Sequence, residues 1–309
     1  MSRILVIGDL MVDRYRFFKP LRSDPAFNAA QVVECETQVD VDGGAGNLVR
    51  NLESLCDREI RFFHARCFDE PGEYKTPTKI RYYVEDRFIL REDRYDSIKH
   101  DKHIVEEFIK FIEPNDFVII SDYHKGTLNY DDIVNIIGKC RKTEGVTVLV
   151  DTNYVFPEHE GIDWLKINYK TARESVNTFG INIAKKISAQ TGTNVIVTKG
   201  AEGFSAYLRK NDESIYYTKD EYKNGAKHFV DSIGAGDTFF AGFISALVNK
   251  KKIIPSLIYA DVVAHLSTTQ LGTIEVVDKT EADTEYKHIE TTTEESGGAI
   301  YVHRTIIDD

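Results

Sequence analysis

The chain has 309 residues, 42% of them hydrophobic and 29% charged, with a formal net charge of −11. That is room for one large α/β domain, alone or with a small appendage, in an ordinary soluble globular protein. The acidic excess argues against a nucleic-acid backbone as a main partner, and no apolar run reaches the roughly 20 residues of a membrane helix.

Met1-Ser2-Arg3 leads straight into Ile4-Leu5-Val6-Ile7 without the small-residue cleavage site of a signal peptide, so a cytoplasmic location is expected. Cys35, Cys56, Cys67 and Cys140 have no C-x-x-C spacing and no obvious histidine partner. Buried free thiols are expected rather than a zinc site or a disulfide frame.

Ile4 to Ile7 reads as a buried strand, and Gly8-Asp9-Leu10-Met11-Val12-Asp13 leaves its end with two acids four apart. No G-x-G-x-x-G follows, so a dinucleotide fingerprint is absent. Acids at a strand end can accept hydrogen bonds from sugar hydroxyls; each also fits a loop or cap acid, Asp9 better than Asp13.

From Asn28 to Val41 the pattern alternates, with Val33, Cys35, Thr37 and Val39 on one face and Glu34, Glu36, Gln38 and Asp40 on the other. Thr78 to Arg91 has the same look, and the two stretches together predict a small antiparallel sheet projecting from the body. Between them Gly43-Gly44-Ala45-Gly46-Asn47 opens an amphipathic helix over Leu48 to Leu55. Its glycines allow close backbone approach, and Asn47 offers a donor and an acceptor to a polyol. A flexible loop before a helix accounts for the same residues.

After Pro114 strands and helices alternate. Strands are predicted at Phe117 to Ile120, Val146 to Val150, Trp164 to Asn168, Asn194 to Thr198 and Phe204 to Leu208, with helices over Ile133 to Cys140 and about Ile181 to Thr191. This predicts a mainly parallel sheet covered on both faces, whose function collects at the carboxyl ends of the strands. Asp13, Asp122, Asp151, Asn168 and Lys199 all fall at such ends and point to one crevice.

Asp231-Ser232-Ile233-Gly234-Ala235-Gly236-Asp237-Thr238 then precedes an apolar helix. Small residues at a helix start let free amides and the positive end of the dipole face an anion, which makes a phosphate cradle. Asp237 beside it is placed to take the proton of an attacking hydroxyl while the amides of Gly234, Ala235 and Gly236 stabilise the transferring phosphate. Standing alone, the same stretch also fits a tight turn with a capping acid. Pro255 to Leu271 reads as a helix ending at Gly272. Asp278 to Ser296 reads as a surface or partly disordered segment, and Ala299 to His303 as a late edge strand.

Taken together, the Gly43 to Asn47 loop, Val197-Thr198-Lys199-Gly200-Ala201-Glu202-Gly203 and Asp231 to Asp237 resemble the signatures of the ribokinase-type (PfkB) carbohydrate kinase family, in order and spacing, over residues 3 to 277. The resemblance implies an α/β ribokinase-like kinase domain over 1–277, a small β lid from about 14–41 and 76–96, and a C-terminal surface segment over 278–309. It implies ATP lying over Lys199, Gly200 and Gly203, with adenine near the helix that ends at Gly272 and with Asn168 and Asp231 on the nucleotide side. The acceptor sugar would be held by Asp13, Gly43, Gly44, Asn47 and Asp122. Magnesium would be bound through waters near Asp151 and Glu174.

Val6 to Tyr15, Leu90-Arg91-Glu92-Asp93 and Ser121-Asp122-Tyr123-His124-Lys125-Gly126 are most similar to the heptose-phosphate kinase branch, the kinase half of the enzyme that makes ADP-heptose for lipopolysaccharide. The nucleotidyltransferase half with its H-x-G-H signature is missing from the sequence. Arg91 would reach an anionic group of the acceptor, or else pair with Glu92 or Asp93.

Departures from the pattern bear on the substrate more than on the reaction. Asp151-Thr152-Asn153 stands for Asp-Pro-Lys and removes a cation near the phosphates; Asn168-Tyr169-Lys170-Thr171 stands for N-x-x-E, with Glu174 one turn on; Leu21-Arg22-Ser23-Asp24-Pro25 stands for Arg-Ile-Ser-Pro-Glu. A kinase for another sugar, sugar phosphate or nucleoside is the alternative, and so is a non-catalytic sugar- or nucleotide-binding regulator of the same fold. A lid with an alternating apolar face must hide that face, which predicts a homodimer through the lid.

Overall fold

The computed structural model describes residues 2–24, 30–65, 76–95, 97–155, 161–176, 182–219, 229–296 and 299–306. Cys67, Pro25 and the expected element starts at Asn28 and Ile181 lie outside the described residues.

The first half of the chain contains β1 (Ile4–Gly8), β2 (Leu10–Asp24), β3 (Ala30–Gly44), α1 (Ala45–Leu55), β4 (Ile60–Phe63), β5 (Thr78–Val84), β6 (Arg87–Arg94), α2 (Lys102–Phe111), β7 (Phe117–Asp122) and α3 (Tyr130–Arg141). Then come β8 (Thr147–Thr152), β9 (Trp164–Asn168), α4 (Tyr169–Val176), α5 (Ile183–Thr191), β10 (Asn194–Thr198), β11 (Phe204–Leu208) and β12 (Glu213–Lys219). The chain closes with α6 (Ala235–Val248), α7 (Ile253–Ser267), α8 (Lys279–Lys287), β13 (Ile289–Ser296) and β14 (Ala299–Ile306).

Ten strands form the main sheet in the order β13-β14-β12-β11-β10-β9-β8-β7-β1-β4, in which the run β10-β9-β8-β7-β1-β4 is parallel throughout. Alternate residues of one strand feed two separate cores. Ile4 and Val6 pack with α1, α6 and α7, whereas Leu5 and Ile7 pack with α2, α3 and α5. Each such side chain, removed from water, contributes about 1.5–3 kcal/mol, which is why these strands read as apolar runs rather than as alternation. The same parity assigns side chains at the carboxyl ends: Leu149 faces the α6 side, so Asp151 does too, and Trp164 and Lys166 share that side.

Four strands in the order β3-β2-β5-β6 form a second sheet above the carboxyl edge of the first, over the residues expected for the lid. Register places Asp13 beside Lys79, Tyr15 beside Arg81, and Arg81 opposite Arg91, so these five side chains share one face. Tyr15, Phe17 and Tyr83 stack along the same face. The β2–β3 ladder shifts register between Phe17 and Phe18 and again between Pro20 and Arg22. The alternation expected for β3 gives no buried face, because Val33 and Cys35 are exposed.

The C-terminal part is ordered, and the edge-strand expectation for it is corrected. Residues 278–296 form α8 and β13, with Asp278 capping α8 through the Glu281 amide and Ala282 buried against the core. β14 is not an edge strand: it inserts parallel to β12 and carries β13 outside it. Glu and Thr on an outer strand look like a disordered stretch because little but backbone pairing orders them. No helix among the described residues is long and apolar enough to cross a membrane.

Candidate active site

The helix α6 begins at Gly234, whose φ of +79° and close neighbours both require glycine: a Cβ there would lie 2.6 Å from Thr273 Cγ2 and 2.8 Å from Asn47 Nδ2. No side chain caps this start. Among the described residues the N–H groups of Gly234, Gly236 and Asp237 donate to no protein atom, while that of Ala235 donates to Ser232 O at 3.3 Å. The open donors at this helix start are therefore Gly234, Gly236 and Asp237, while Ala235, the third of the expected trio with Gly234 and Gly236, is turned to Ser232.

Asp237, on the first turn, is buried and held from two sides. Asn47 Nδ2 donates to Oδ2 at 3.1 Å and the Tyr123 hydroxyl donates to Oδ1. Asn47 is itself fixed by Asn51, whose Nδ2 donates to its backbone carbonyl at 2.9 Å and to Oδ1 at 3.2 Å. Burial pushes the Asp237 carboxyl above the usual carboxylate range, against the pull of Lys166, Tyr123, Asn47 and Lys79. A carboxylate poised this way suits a proton acceptor, and a raised pKa strengthens it as a base.

Lys166 was not singled out by the sequence. It rises from β9 beneath the cradle, buried, with Nζ 2.7 Å from Asp151 Oδ2 and 3.2 Å from the position a Cβ on Gly236 would take. Burial pushes Asp151 up to about 6, with Lys166 opposing and Asp237 reinforcing the shift. The sign that was available is a lysine inside an apolar strand, which must find an acid; the pairing of Asp151 with Lys166 across β8 and β9 supplies it.

On the lid side Arg81 NH1 donates to Asp13 Oδ1 at 2.7 Å and Thr273 Oγ1 donates to Oδ2 at 3.0 Å, all three residues buried. Arg81 Nε is buried without a hydrogen-bond partner. Lys79 is half-buried beside Asp13 and Asp237, and burial lowers its pKa despite both acids. Gly43 lies against the Asp13 carboxylate, and Gly44 stands at the N-cap of α1, three residues before Asn47, which joins Asp237.

Other expected residues stand differently. Asp122 accepts from the His124 amide at 2.7 Å and from the Tyr154 hydroxyl, so it shapes the loop after β7. Asp9 does the same for three amides, those of Tyr123, Lys125 and Thr127, at 2.8–3.0 Å. Arg91 is exposed and bidentate to Asp93. Gly272 is filled over by Tyr15, whose hydroxyl accepts from the Thr273 amide at 2.8 Å, a contact that seats the lid. Asp231 accepts from the Ile233 amide at 3.0 Å and shapes the loop before α6.

Asn168 caps α4 through the Thr171 amide at 2.9 Å and donates to Asn153 at 3.3 Å. Lys199, Gly200 and Gly203 form a short 3-10 turn after β10, closed by Lys199 N–H to Gly203 O at 2.8 Å. Glu174 is exposed on α4. Among the described residues no three His, Cys, Asp or Glu side chains converge as a metal-ligand set.

A mainly parallel sheet with helices on both faces, a second sheet over its carboxyl edge and an uncapped glycine-led helix between the two define a ribokinase-like α/β protein. The same fold is found in phosphofructokinase-2 from Escherichia coli in complex with potassium, with a TM-score of 0.68 at 15% identity over 93% of this chain and 99% of that one. Ribokinase from Arabidopsis thaliana complexed with ribose and ATP matches with a TM-score of 0.67 at 16% identity over the same shares. A family model described as pfkB family carbohydrate kinase matches residues 67–280, more than half of the chain, and the chain belongs to that family.

Among curated relatives, Bifunctional protein HldE of Sulfurimonas denitrificans is 29% identical over 303 residues, covering 89% of this chain and 62% of the relative. That of Nitratiruptor is 27% identical over 304 residues, covering 87% and 62%. The chain thus spans about three fifths of the length of these relatives.

Proposed function

We propose that this carbohydrate kinase transfers the γ-phosphoryl group of ATP to a hydroxyl of a sugar phosphate, a heptose phosphate of the ADP-heptose route to lipopolysaccharide, in the cytoplasm. The observation that carries the reaction is Asp237, buried at the uncapped start of α6 and oriented by Asn47 and Tyr123. The acceptor hydroxyl gives its proton to Asp237 as its oxygen attacks phosphorus. The amides of Gly234, Gly236 and Asp237 and the ammonium of Lys166 face the charge that grows on the phosphoryl oxygens. Lys166 takes the place of the cation absent at Asn153. Magnesium bound with the nucleotide phosphates would supply further neutralisation of their charge.

The acceptor class rests on the lid. Lys79, Arg81 and Arg91 share the face above Asp237, and Arg81 Nε is an open buried donor, which suits an anionic acceptor better than a neutral sugar. The heptose itself is supported by the branch motifs in β1–β2 and after β7 and by the likeness to the Bifunctional protein HldE relatives. We also read the exposed Phe88, Ile89 and Leu90 of β6, each about half exposed, as the apolar part of a homodimer interface through the lid. ATP consumption measured with heptose phosphate, fructose phosphate, ribose and adenosine tests the acceptor: kcat/KM is highest for heptose phosphate, and a preference for ribose or adenosine would overturn the sugar-phosphate reading.

A further inference from the structure

Tyr123 follows directly on β7, and its backbone has no freedom. Its N–H is fixed to Asp9 Oδ2 at 2.8 Å, and the next residues are held by the same carboxylate and by Asp122, with His124 at a φ of +59°. The side chain is a different matter. Its ring is only partly buried, it lies below the lid with Lys79 Nζ 5.7 Å from the ring centre, and its hydroxyl ends on Asp237 Oδ1. The other carboxylate oxygen, Oδ2, is taken by Asn47. The base is thus covered on both oxygens by groups of the protein, one of them a phenol on a rotatable arm.

An O–H donated to Asp237 is also the interaction that an acceptor hydroxyl must make before it reacts. A base able to take a proton from a sugar takes one from water equally well: the water oxygen would bond to the γ-phosphorus, its proton would pass to Asp237, and the bond to the β-phosphate oxygen would break with its electron pair leaving on ADP. Closed kinase sites suppress this loss by keeping water from the base. Resting on the reading of Asp237 as the base, we propose that Tyr123 selects sugar over water: its phenol occupies the acceptor position on Asp237 until an acceptor bound by the lid displaces it.

The arrangement fits the task in three respects. Burial and the surrounding acids raise the phenol pKa well above its ordinary value, so it stays a neutral donor and does not compete as a nucleophile. With the backbone pinned, displacement is a side-chain rotation and leaves Asp9, Asp122 and β7 in place. Lys79 covers the ring from β5 of the lid, so an anionic acceptor that draws Lys79 toward itself also uncovers Tyr123.

The test uses ATP alone first, so it does not depend on which acceptor is right. Tyr123→Ala opens the position to water, and ATP hydrolysis without acceptor rises at least about ten-fold over wild type, with the ~10²–10⁴-fold that a positioned base supplies as its ceiling. Adding Asp237→Asn to Tyr123→Ala abolishes the gain. Tyr123→Phe keeps the ring but removes the hydrogen bond that an acceptor must break, so KM for the phosphorylated acceptor falls, whereas a purely structural role would leave it equal or raise it.

Hydrolysis at the wild-type level in a folded Tyr123→Ala protein overturns the proposal. Should that variant not fold, a Tyr123→Phe KM at or above wild type overturns it. Failure of every sugar phosphate as acceptor would sink the acceptor reading while the hydrolysis measurement still decides on Tyr123.

Discussion

Lys166 and Asp151 meet at 2.7 Å with side chains 7% and 10% exposed, while Arg91 and Asp93 meet at 2.6 Å on the lid with side chains 48% and 42% exposed. The geometry is alike and the energetics are not. The buried pair is surrounded by the α6 face of the main sheet, where losing one partner strands a charge out of water; the exposed pair is screened and exchanges for water at little cost. The body therefore holds a fixed cation beneath the start of α6, and the lid holds one whose partner is exchangeable. In the proposed reading the fixed cation serves the transferring phosphate and the exchangeable one the choice of acceptor.

The contrast is tested most severely at the body's reacting centre. Asp237→Asn keeps the size and the contacts with Asn47 but removes the base, so turnover falls by roughly 10²-fold or more while ATP still binds, read by steady-state kinetics beside nucleotide titration. Lys166→Met comes next. It leaves Asp151 buried and unpaired and costs about 3–5 kcal/mol in chemical denaturation, whereas Lys166→Met with Asp151→Leu recovers most of that stability without recovering turnover. Recovery of both would make the pair a structural one.

A pH series separates the two regions further. Asp151 is raised in the folded state to about 6. Since its folded pKa lies above the unfolded value of about 3.9, its contribution to stability is complete below that value and is lost as pH rises through about 6. Unfolding free energies of wild type and Asp151→Asn should therefore differ in slope between pH 4 and 6, and parallel curves would contradict the assignment. Activity moves the other way, falling as pH drops through the raised Asp237 value, with Lys166, Lys79, Tyr123 and Asp151 as the groups that face it. The smallest effect is expected on the lid. Arg91→Ala raises KM for a phosphate-bearing acceptor several-fold and changes stability by less than about 1 kcal/mol, and an unchanged KM would confine Arg91 to its surface pair.

The parallel strands were legible because burial on both faces writes them as short apolar runs with polar residues at their ends, and the cradle because only small residues permit its backbone. Asp237 and Asn47, 190 residues apart, could be named as candidates from their local patterns, but their hydrogen bond is a tertiary fact. Lys166, Lys79 and Arg81 escaped notice because lysine and arginine at strand positions look like surface until the register sets them over Asp151, Asp13 and Asp237, and Tyr123 showed only as part of a motif because its bond to Asp237 is a tertiary contact. β13 and α8 escaped for the opposite reason, since their sequence carries almost no apolar signal and their order comes from pairing with β14 and packing on Val277 and Ala282.

The position of β14 bears on how the protein is made. β12 pairs with β11 on one side and with a strand some eighty residues later on the other. While the chain is being synthesised at about 5–20 residues per second, β12 remains an open edge for roughly ten seconds after its own residues emerge. During that interval nothing of the chain's own can take the place of β14, and an extended segment from a neighbouring nascent chain competes for it. Conditions that slow elongation between residues 219 and 299 should therefore lower soluble yield while leaving the activity of the molecules that do finish unchanged.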